Sequence, residues 1–256
     1  MSTGSASEIA PPAPPSFPLR AARKLLNAPR LRRLQEDPFS VRAKRDDLHL
    51  RVLAVGALGP ADTVIDVGAH LGDFLDIALA VAPDGRHYAF EPLPEMAAGL
   101  RSSHPQVDVR EAALSDGAGE ITFLHVAEEP GYSGFRQGSY PADYTPQEIT
   151  VRRARLDDEL PADVDVAFIK IDVEGAELEV LRGGLETLRR CRPVVVFEHF
   201  KGHAEAYGTT ARDLHALLTG EAGLRMFDID GVGPLSADQM QQAADAGAIW
   251  NFIARP

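Results

Sequence analysis

The sequence contains a single cysteine, Cys191, among 256 residues. One cysteine cannot form an intramolecular disulfide framework or a cysteine-rich zinc site. The sequence also lacks an unbroken run of roughly 20 apolar residues, which a membrane-spanning helix needs. Its N-terminal region lacks the apolar core of a secretory signal, and we therefore expect a cytoplasmic protein that does not contact a membrane.

Positive charge is scarce as well. The chain has 26 lysines and arginines against 38 acidic residues, a formal net charge of −12. A protein that binds nucleic acid generally needs a basic face, so we expect no nucleic-acid partner. The charge is unevenly distributed, because the first 50 residues carry nine basic and five acidic side chains, a net charge of +4, which leaves −16 for the remainder.

Composition divides the chain into three parts. Residues 1–18 are rich in proline, alanine and serine, which predicts a disordered tail. Residues 19–58 alternate leucines with arginines and predict a basic helical extension. This extension could simply pack on the main domain, or it could act as a lid over the site. Residues 59–256 are long enough, and apolar enough, for one large α/β domain.

The most informative stretch covers residues 63–73 and reads T-V-I-D-V-G-A-H-L-G-D. A buried β-branched strand, a glycine turn and a helix in this order are typical of a nucleotide-binding crevice. The dinucleotide fingerprint G-x-G-x-x-G is incomplete, because His70 stands where its middle glycine belongs, between Gly68 and Gly72. Asp66 places a carboxylate beside the turn, which repels a pyrophosphate but suits an amine. The pattern therefore favours S-adenosylmethionine over NAD, and a plain turn without a ligand is the alternative.

Two further segments complete the predicted cofactor site. Glu91 ends the second strand, 23 residues after Gly68, where nucleotide-binding folds place an acidic residue on the ribose hydroxyls. Small and apolar residues follow the third strand and suit the packing of an adenine ring: Ala112, Ala113 and Leu114. Ser115 or Asp116 could reach the exocyclic amine of that ring.

The second informative stretch covers residues 166–177 and reads V-A-F-I-K-I-D-V-E-G-A-E. Its apolar run predicts a central strand that ends at Asp172, followed by a helix over residues 176–190. The end of this strand should neighbour the first strand, so Asp172 could orient an acceptor, act as a base or bind a metal. The structural alternative is a pairing of Asp172 with Lys170 or with the helix N-terminus.

The candidates for proton removal follow the next strand, over residues 193–200. Glu198 and His199 stand at its carboxyl end, and histidine is suited to proton transfer near neutral pH. We therefore expect His199 to be the general base, with His203 and His70 as secondary candidates. Residues 127–144 contain glycines and aromatic residues, which is typical of a binding loop, and we expect them to form the acceptor-facing wall.

Taken together, the motifs resemble the FkbM family of S-adenosylmethionine-dependent methyltransferases over roughly residues 60–200. His70 departs from the family, which more often has asparagine there. The motifs that carry the resemblance are D-V-G-A-H-L-G at 66–72, F-E-P at 90–92, A-L-S-D at 113–116, L-D-D at 156–158, I-K-I-D-V-E-G-A-E at 169–177, L-R-G-G at 181–184 and V-F-E-H at 196–199.

The resemblance implies a Rossmann-like α/β fold, with a doubly wound, mostly parallel seven-stranded sheet whose last strand is antiparallel. It also implies methyl transfer to a hydroxyl of a small molecule, such as a natural product or a sugar. We expect Asp66 to Gly72 to hold the methionine moiety and His199 or Asp172 to remove the hydroxyl proton.

Three alternatives stay open at the level of sequence. A magnesium-assisted enzyme would use Asp172 with Glu198 or Asp157 as oxygen ligands. A non-catalytic module would bind the cofactor without turnover. An NAD-dependent oxidoreductase would bind a pyrophosphate at the glycine turn, although the middle glycine of the fingerprint is missing. The sequence also leaves open a homo-oligomer and the identity of the acceptor.

Overall fold

A computed structural model of the protein describes residues 38–128, 130–136, 144–247 and 249–256. The predicted tail and the first part of the predicted basic extension, up to residue 37, lie outside these ranges, as does part of the predicted acceptor loop. The strands in the described ranges are β1 (Thr63–Val67), β2 (Tyr88–Phe90), β3 (Asp108–Arg110), β4 (Ala113–Leu114), β5 (Gly119–His125), β6 (Gln147–Ala154), β7 (Val166–Ile171), β8 (Val194–Glu198), β9 (Arg225–Asp228) and β10 (Asn251–Arg255).

Helices connect most of these strands. The helices of the described ranges are α1 (Pro38–Ala57), α2 (Asp73–Val81), α3 (Pro94–Ser103), α4 (Leu156–Glu159), α5 (Glu177–Gly183), α6 (Leu185–Cys191), α7 (Lys201–Tyr207), α8 (Ala211–His215) and α9 (Ala237–Asp245). A turn of π-helix, Ala216–Glu221, continues α8, and a short 3₁₀ turn covers Pro130–Tyr132. None of the helices in the described ranges is long and apolar enough to cross a membrane.

Seven strands form the main sheet in the order β3-β2-β1-β7-β8-β10-β9. The pairs from β3 to β8 are all parallel, whereas β10 is antiparallel to both of its neighbours. The chain therefore forms the doubly wound, mostly parallel sheet with an antiparallel last strand that the sequence predicts. The strand order reverses between β1 and β7, and such a switch point opens a crevice at the carboxyl ends of the strands.

The central strands are buried on both faces, which explains their continuous apolar runs. Ile65, Ile169 and Phe197 pack on one face with residues of α5, α6 and α8. Val64 and Phe168 pack on the other face with residues of α1 and α2. This double burial holds the ends of β1 and β7 rigidly side by side.

A second sheet of three strands, in the order β4-β6-β5, lies outside the main sheet. Strands β5 and β6 are antiparallel and pair from Gly119 with Arg153 to His125 with Gln147.

The helix predicted over residues 176–190 is interrupted between Gly183 and Gly184, so the single-helix prediction was wrong. A Cβ atom at Gly183 would lie 2.0 Å from the carbonyl oxygen of Ser115, and a Cβ atom at Gly184 would lie 2.9 Å from the Leu156 side chain. The glycines therefore allow the helical segment to approach neighbouring backbone closely, at the cost of its continuity.

The chain divides into two compact units, residues 1–45 and 46–256. The second unit begins earlier than the predicted domain start at residue 59, because the second half of α1 contributes Leu50, Leu53 and Ala54 to the packing of this unit. The lid role of the basic extension stays a prediction.

Candidate functional site

A cavity of about 290 Å³ opens at the carboxyl ends of β1, β2 and β7. This volume is near the lower end of the range of about 300–1,000 Å³ that is usual for small-molecule sites. Eight of the nine residues predicted to bind the cofactor line it: Asp66, Gly68, His70, Glu91, Ala112, Ala113, Leu114 and Asp172. The sequence therefore identified the walls of one continuous cavity.

Asp66 is the most deeply buried carboxylate of the cavity wall, with no exposed surface. Burial raises the pKa of its carboxyl group, and the positive charge of Lys170 opposes this shift. Lys170 Nζ forms an ion pair with Asp66 Oδ1 at 3.3 Å, and neither oxygen of Asp66 has a hydrogen-bond partner in the described part of the chain. One oxygen of Asp66 is thus available to a ligand that carries a hydrogen-bond donor.

Glu91 fastens the turn after β1 to the end of β2. Its Oε2 accepts a hydrogen bond from the backbone N–H of His70, and its Oε1 accepts one from the N–H of Leu93, both at 2.9 Å. Burial raises the pKa of this carboxyl group, and the two hydrogen bonds lower it. Because each carboxylate oxygen has two lone pairs, Glu91 can still accept hydrogen bonds from ribose hydroxyls.

The glycine turn differs from its sequence interpretation. Gly68 and Gly72 both adopt positive φ, at 75° and 88°. A Cβ atom at Gly68 would lie 1.8 Å from the carbonyl oxygen of Asp172, and one at Gly72 would lie 2.6 Å from the His104 ring. Both positions therefore need glycine for protein packing as well as for backbone conformation, and Gly72 is the one predicted residue that is not among those lining the cavity.

His70 lines the cavity in a left-handed conformation, with φ of 48°. Its Nε2 is buried and has no hydrogen-bond partner in the described ranges. A polar ligand group could therefore bind there. This unpartnered nitrogen is the atom through which His70 could form the predicted hydrogen bond with a ligand.

Ser115 and Asp116 are not among the residues that line the cavity. The Ser115 hydroxyl donates to Glu179 at 2.8 Å, and Arg153 forms an ion pair with Asp116 at 2.7 Å. These polar groups are engaged in contacts of their own, and the apolar strip from Ala112 to Leu114 is what the third strand offers to the cavity.

His199 does not line the cavity, although the sequence suggests it as general base. Its backbone N–H donates to the carbonyl of Trp250, beside β10, and its side chain is buried. Burial lowers the pKa of the imidazole to about 4. Glu198 is likewise absent from the lining, and burial together with the charges of Asp172 and Glu174 raises the pKa of its carboxyl well above the ordinary value. Of the three predicted catalytic residues, the structure brings Asp172 alone to the cavity.

Glu174 is a residue of the cavity wall that we did not single out as a catalytic candidate. It has a φ of 55°, which is unusual for a residue other than glycine, and such conformations cluster at functional sites. Its carboxylate contacts Nδ1 of the buried His203, a secondary candidate. Burial raises the pKa of Glu174, which the hydrogen bond from His203 partly offsets. The signal in the sequence was the alternation of Lys170, Asp172 and Glu174 on the strand end.

One of the predicted magnesium ligands, Asp157, is engaged in contacts of its own. Both oxygens of Asp157 accept hydrogen bonds from the first turn of α6, where the residue caps the helix: from Glu186 N at 3.0 Å and from Thr187 N at 2.9 Å. Within the described residues, no group of three or more histidine, cysteine or acidic side chains has an arrangement that could hold a metal ion.

The described part of the predicted acceptor loop forms one wall of the cavity, through Pro130, Gly131, Ser133, Gly134 and Phe135. Backbone hydrogen bonds between Leu124 and Gly134 close its base, and the hydroxyl of Tyr207 in α7 accepts from the N–H of Phe135 at 3.0 Å. The loop is thus held from both sides. Its role toward an acceptor stays a prediction.

The chain is similar in sequence to several characterised proteins. The chain is 31% identical over 186 residues to the AMB antimetabolite synthetase AmbE of Pseudomonas aeruginosa, covering 56% of this chain and 9% of that protein. It is 32% identical over 177 residues to the 2-O-methyltransferase NoeI of Sinorhizobium fredii, covering 62% of this chain and 73% of that protein. It is 29% identical over 157 residues to the 31-O-demethyl-FK506 methyltransferase FkbM of Streptomyces tacrolimicus, covering 49% of this chain and 60% of that protein.

The matched region is therefore less than two thirds of AmbE and of the Streptomyces protein. Among solved structures, methyltransferase FkbM from Methylobacillus flagellatus has 15% identity and a TM-score of 0.49, covering 77% of this chain and 44% of that one. The family model for the methyltransferase FkbM domain matches residues 66–226, from the aspartate at the end of β1 into β9. This match covers more than half of the chain, which therefore belongs to the FkbM methyltransferase family.

Proposed function

We propose that the protein is an S-adenosylmethionine-dependent O-methyltransferase that acts on a hydroxyl of a small molecule, such as a natural product or a sugar. The observation that carries this proposal is a pair of buried carboxylates, Asp66 and Glu91, at the ends of adjacent strands and facing the same cavity. Lys170 is the one lysine or arginine among the described residues that line the cavity. Such a lining suits a ligand with an amine and hydroxyls better than one with a pyrophosphate.

The residues fit each part of this cofactor. The unpartnered Oδ2 of Asp66 would accept from the ammonium of the methionine moiety, and Glu91 would accept from the ribose hydroxyls. The strip Ala112 to Leu114 would pack against the adenine ring. When bound, S-adenosylmethionine supplies a methyl group activated by its sulfonium.

The chain itself would align the acceptor and remove its proton. Glu174 is our candidate for proton removal, because it lines the cavity and burial raises the pKa of its carboxyl toward the range where a general base is effective. His203 would orient this carboxylate through its Nδ1. Asp172 is the alternative base, although one of its oxygens is engaged in an ion pair with Lys170 at 3.4 Å.

The names of two relatives support oxygen as the methylated atom, since one is a 2-O-methyltransferase and the other a 31-O-demethyl-FK506 methyltransferase. The acceptor would meet the wall formed by the loop around Gly131 and Phe135. That wall contains backbone, small side chains and one aromatic ring, which suits an uncharged molecule.

The first test is calorimetric titration of the full chain with S-adenosylmethionine, S-adenosylhomocysteine and NAD, with and without a chelator. We expect micromolar binding of the first two ligands, no binding of NAD and no effect of the chelator. An acceptor screen then follows release of S-adenosylhomocysteine over sugars and hydroxylated natural products. Binding of NAD alone would contradict the proposal.

The screen also tests the role of Glu174. With an acceptor that supports turnover, we expect Glu174→Gln to lower kcat by about 10²-fold or more, the usual scale for loss of a general base, while S-adenosylhomocysteine still binds. If Asp172→Asn gave this pattern and Glu174→Gln did not, Asp172 would take the role. Cofactor binding without turnover over the whole panel would favour a non-catalytic binding module instead.

A further inference from the structure

Lys170 sits at the centre of the cavity wall, between three oxygen atoms. Its Nζ lies 3.3 Å from Asp66 Oδ1 and 3.4 Å from Asp172 Oδ2, and it donates to the carbonyl of Gly68 at 3.2 Å. The contact with Gly68 is a hydrogen bond, and the two contacts with the carboxylates are ion pairs. One side chain thereby joins the ends of β1 and β7 to the turn between β1 and α2.

The placement of Lys170 follows from the register of the sheet. Lys170 pairs directly with Asp66 across the β1–β7 ladder, and Asp172 follows directly after the end of β7. The contacts are therefore set by two central strands that are buried on both faces.

The charges around Lys170 explain why a cation is needed there. Six carboxylates line the cavity: Asp47, Asp66, Asp73, Glu91, Asp172 and Glu174. Asp66 and Asp172 raise the pKa of Lys170 above its ordinary value despite its burial. Conversely, burial raises the pKa of the Asp66 carboxyl group, and the positive charge of Lys170 opposes this shift.

The free oxygen of Asp66 distinguishes a binding role from a simple structural ion pair. Both oxygens are buried without a hydrogen-bond partner within the described residues; Oδ1 lies in the ion pair with Lys170, whereas Oδ2 has no ion pair there either. A purely structural aspartate would be expected to have both oxygens satisfied. Asp66 is thus held by one oxygen and available to a ligand by the other.

We propose that Lys170 is a positioning residue that orients the carboxylates of Asp66 and Asp172 for the ammonium group of the methionine moiety. This inference rests on the proposed function. Lys170 itself does not contact the reacting atoms; it acts through the two carboxylates. It would fill the place that a divalent cation takes in metal-assisted sites, a cation between acidic side chains.

The test compares two ligands in calorimetric titrations of the full chain. S-Adenosylhomocysteine carries the ammonium group, whereas 5′-methylthioadenosine has the same nucleoside without the amino-acid moiety. We expect Lys170→Met to weaken binding of S-adenosylhomocysteine at least tenfold and to change binding of 5′-methylthioadenosine less than twofold. The matched control is Lys201→Met. Lys201 is exposed, forms an ion pair with Asp245 and is not among the residues that line the cavity, so this substitution should change neither affinity.

Each other result overturns the inference. Equal weakening of both ligands would mean that Lys170 only supports the fold of the site, and unchanged affinities would mean that the carboxylates do not need it. If Lys170→Met does not fold, Lys170→Gln, which keeps a donor but no charge, is measured in the same way. If the wild-type protein bound neither ligand, the proposed function itself would be wrong, and so would this inference.

Discussion

The backbone N–H of His70 donates to Oε2 of Glu91 at 2.9 Å, although the two residues are 21 positions apart. This bond fastens the turn after β1 to the end of β2, and the second oxygen of Glu91 fixes the turn that leads into α3. The residue proposed to hold the ribose is therefore also the one that fixes the shape of the adjoining wall. The proposed contact with the ribose and the local hydrogen bonds therefore depend on the same carboxylate.

We expect Glu91→Gln to weaken both properties. An amide has one acceptor oxygen, so one of the two N–H groups that Glu91 now satisfies would face an NH₂ group. Leaving a buried donor unsatisfied costs about 1–3 kcal/mol. Urea unfolding should report that loss, and calorimetry should report at least tenfold weaker binding of S-adenosylhomocysteine.

The control for this substitution is Glu95→Gln, in the exposed first turn of α3. Surface substitutions of this kind usually change stability by no more than about 0.5 kcal/mol. Unchanged stability and affinity in Glu91→Gln would show that Glu91 is neither the link between the strands nor a ligand contact.

We expect Gly68→Ala to prevent formation of the site. Gly68 has a positive φ, and a Cβ atom there would overlap the backbone oxygen of Asp172 at 1.8 Å, where no flexible side chain can move aside. Gly231→Ala is the matched control, because Gly231 also has a positive φ, of 83°, but has open space around its Cβ position. The control should lose only about 1 kcal/mol, the cost of the backbone conformation. Equal losses of stability in thermal unfolding would disprove the close-packing argument.

The sequence was sufficient to predict the strands that build the cavity. The runs that end at Asp66 and Asp172 are continuous and apolar because both faces of β1 and β7 are buried, and this pattern is visible without a structure. The acidic residue at the end of β2 follows from the spacing of the nucleotide-binding unit. These predictions depend on local pattern and on the known order of strands.

The position of His199 relative to the cavity could not be predicted in the same way. His199 follows β8, which lies one strand further from the switch point than β7, and neighbouring strands are about 4.8 Å apart. Its backbone is held by Trp250 beside β10, so the imidazole is buried away from the cavity lining. The nearness of Lys170 to Asp66 depends equally on the register between β1 and β7. Periodicity does not encode register or the environment at a strand end.

We expect the burial of His199 to make the protein less stable in mild acid. Its pKa is lowered to about 4 in the folded protein, whereas an unfolded histidine has a pKa of about 6.5. The unfolded state therefore binds more protons as the pH falls below about 6.5, which costs about 2 kcal/mol at pH 5 relative to pH 7.5. In His199→Gln this contribution should be absent, so the stability of the variant relative to the wild type, measured by urea unfolding, should be about 2 kcal/mol higher at pH 5 than at pH 7.5. An unchanged difference between the two proteins at the two pH values would mean that His199 is not buried in its neutral form.

We expect the titration of Glu177 to change the free energy of unfolding with pH in the opposite direction to that of His199. Its side chain is 1% exposed, and burial raises the pKa of its carboxyl to about 8, with Oε2 unpartnered in the described part of the chain. Between pH 4.5 and 8 the folded state holds a proton that the unfolded state releases, so stability falls as the pH rises, by about 3 kcal/mol from pH 5 to pH 7.5.

Glu177→Gln keeps the acceptor for the N–H of Gly175 and removes the titration. We expect this variant to gain stability relative to the wild type at pH 7.5 and to show little difference at pH 5, where the wild-type carboxyl is protonated in the folded protein. Glu186→Gln, exposed on α6, is the control and should change stability at neither pH by more than about 0.5 kcal/mol. If the Glu177 carboxyl were ionised in the folded wild type, Glu177→Gln would be no more stable than the wild type at pH 7.5, because the substitution would remove a charge that the fold already accommodates.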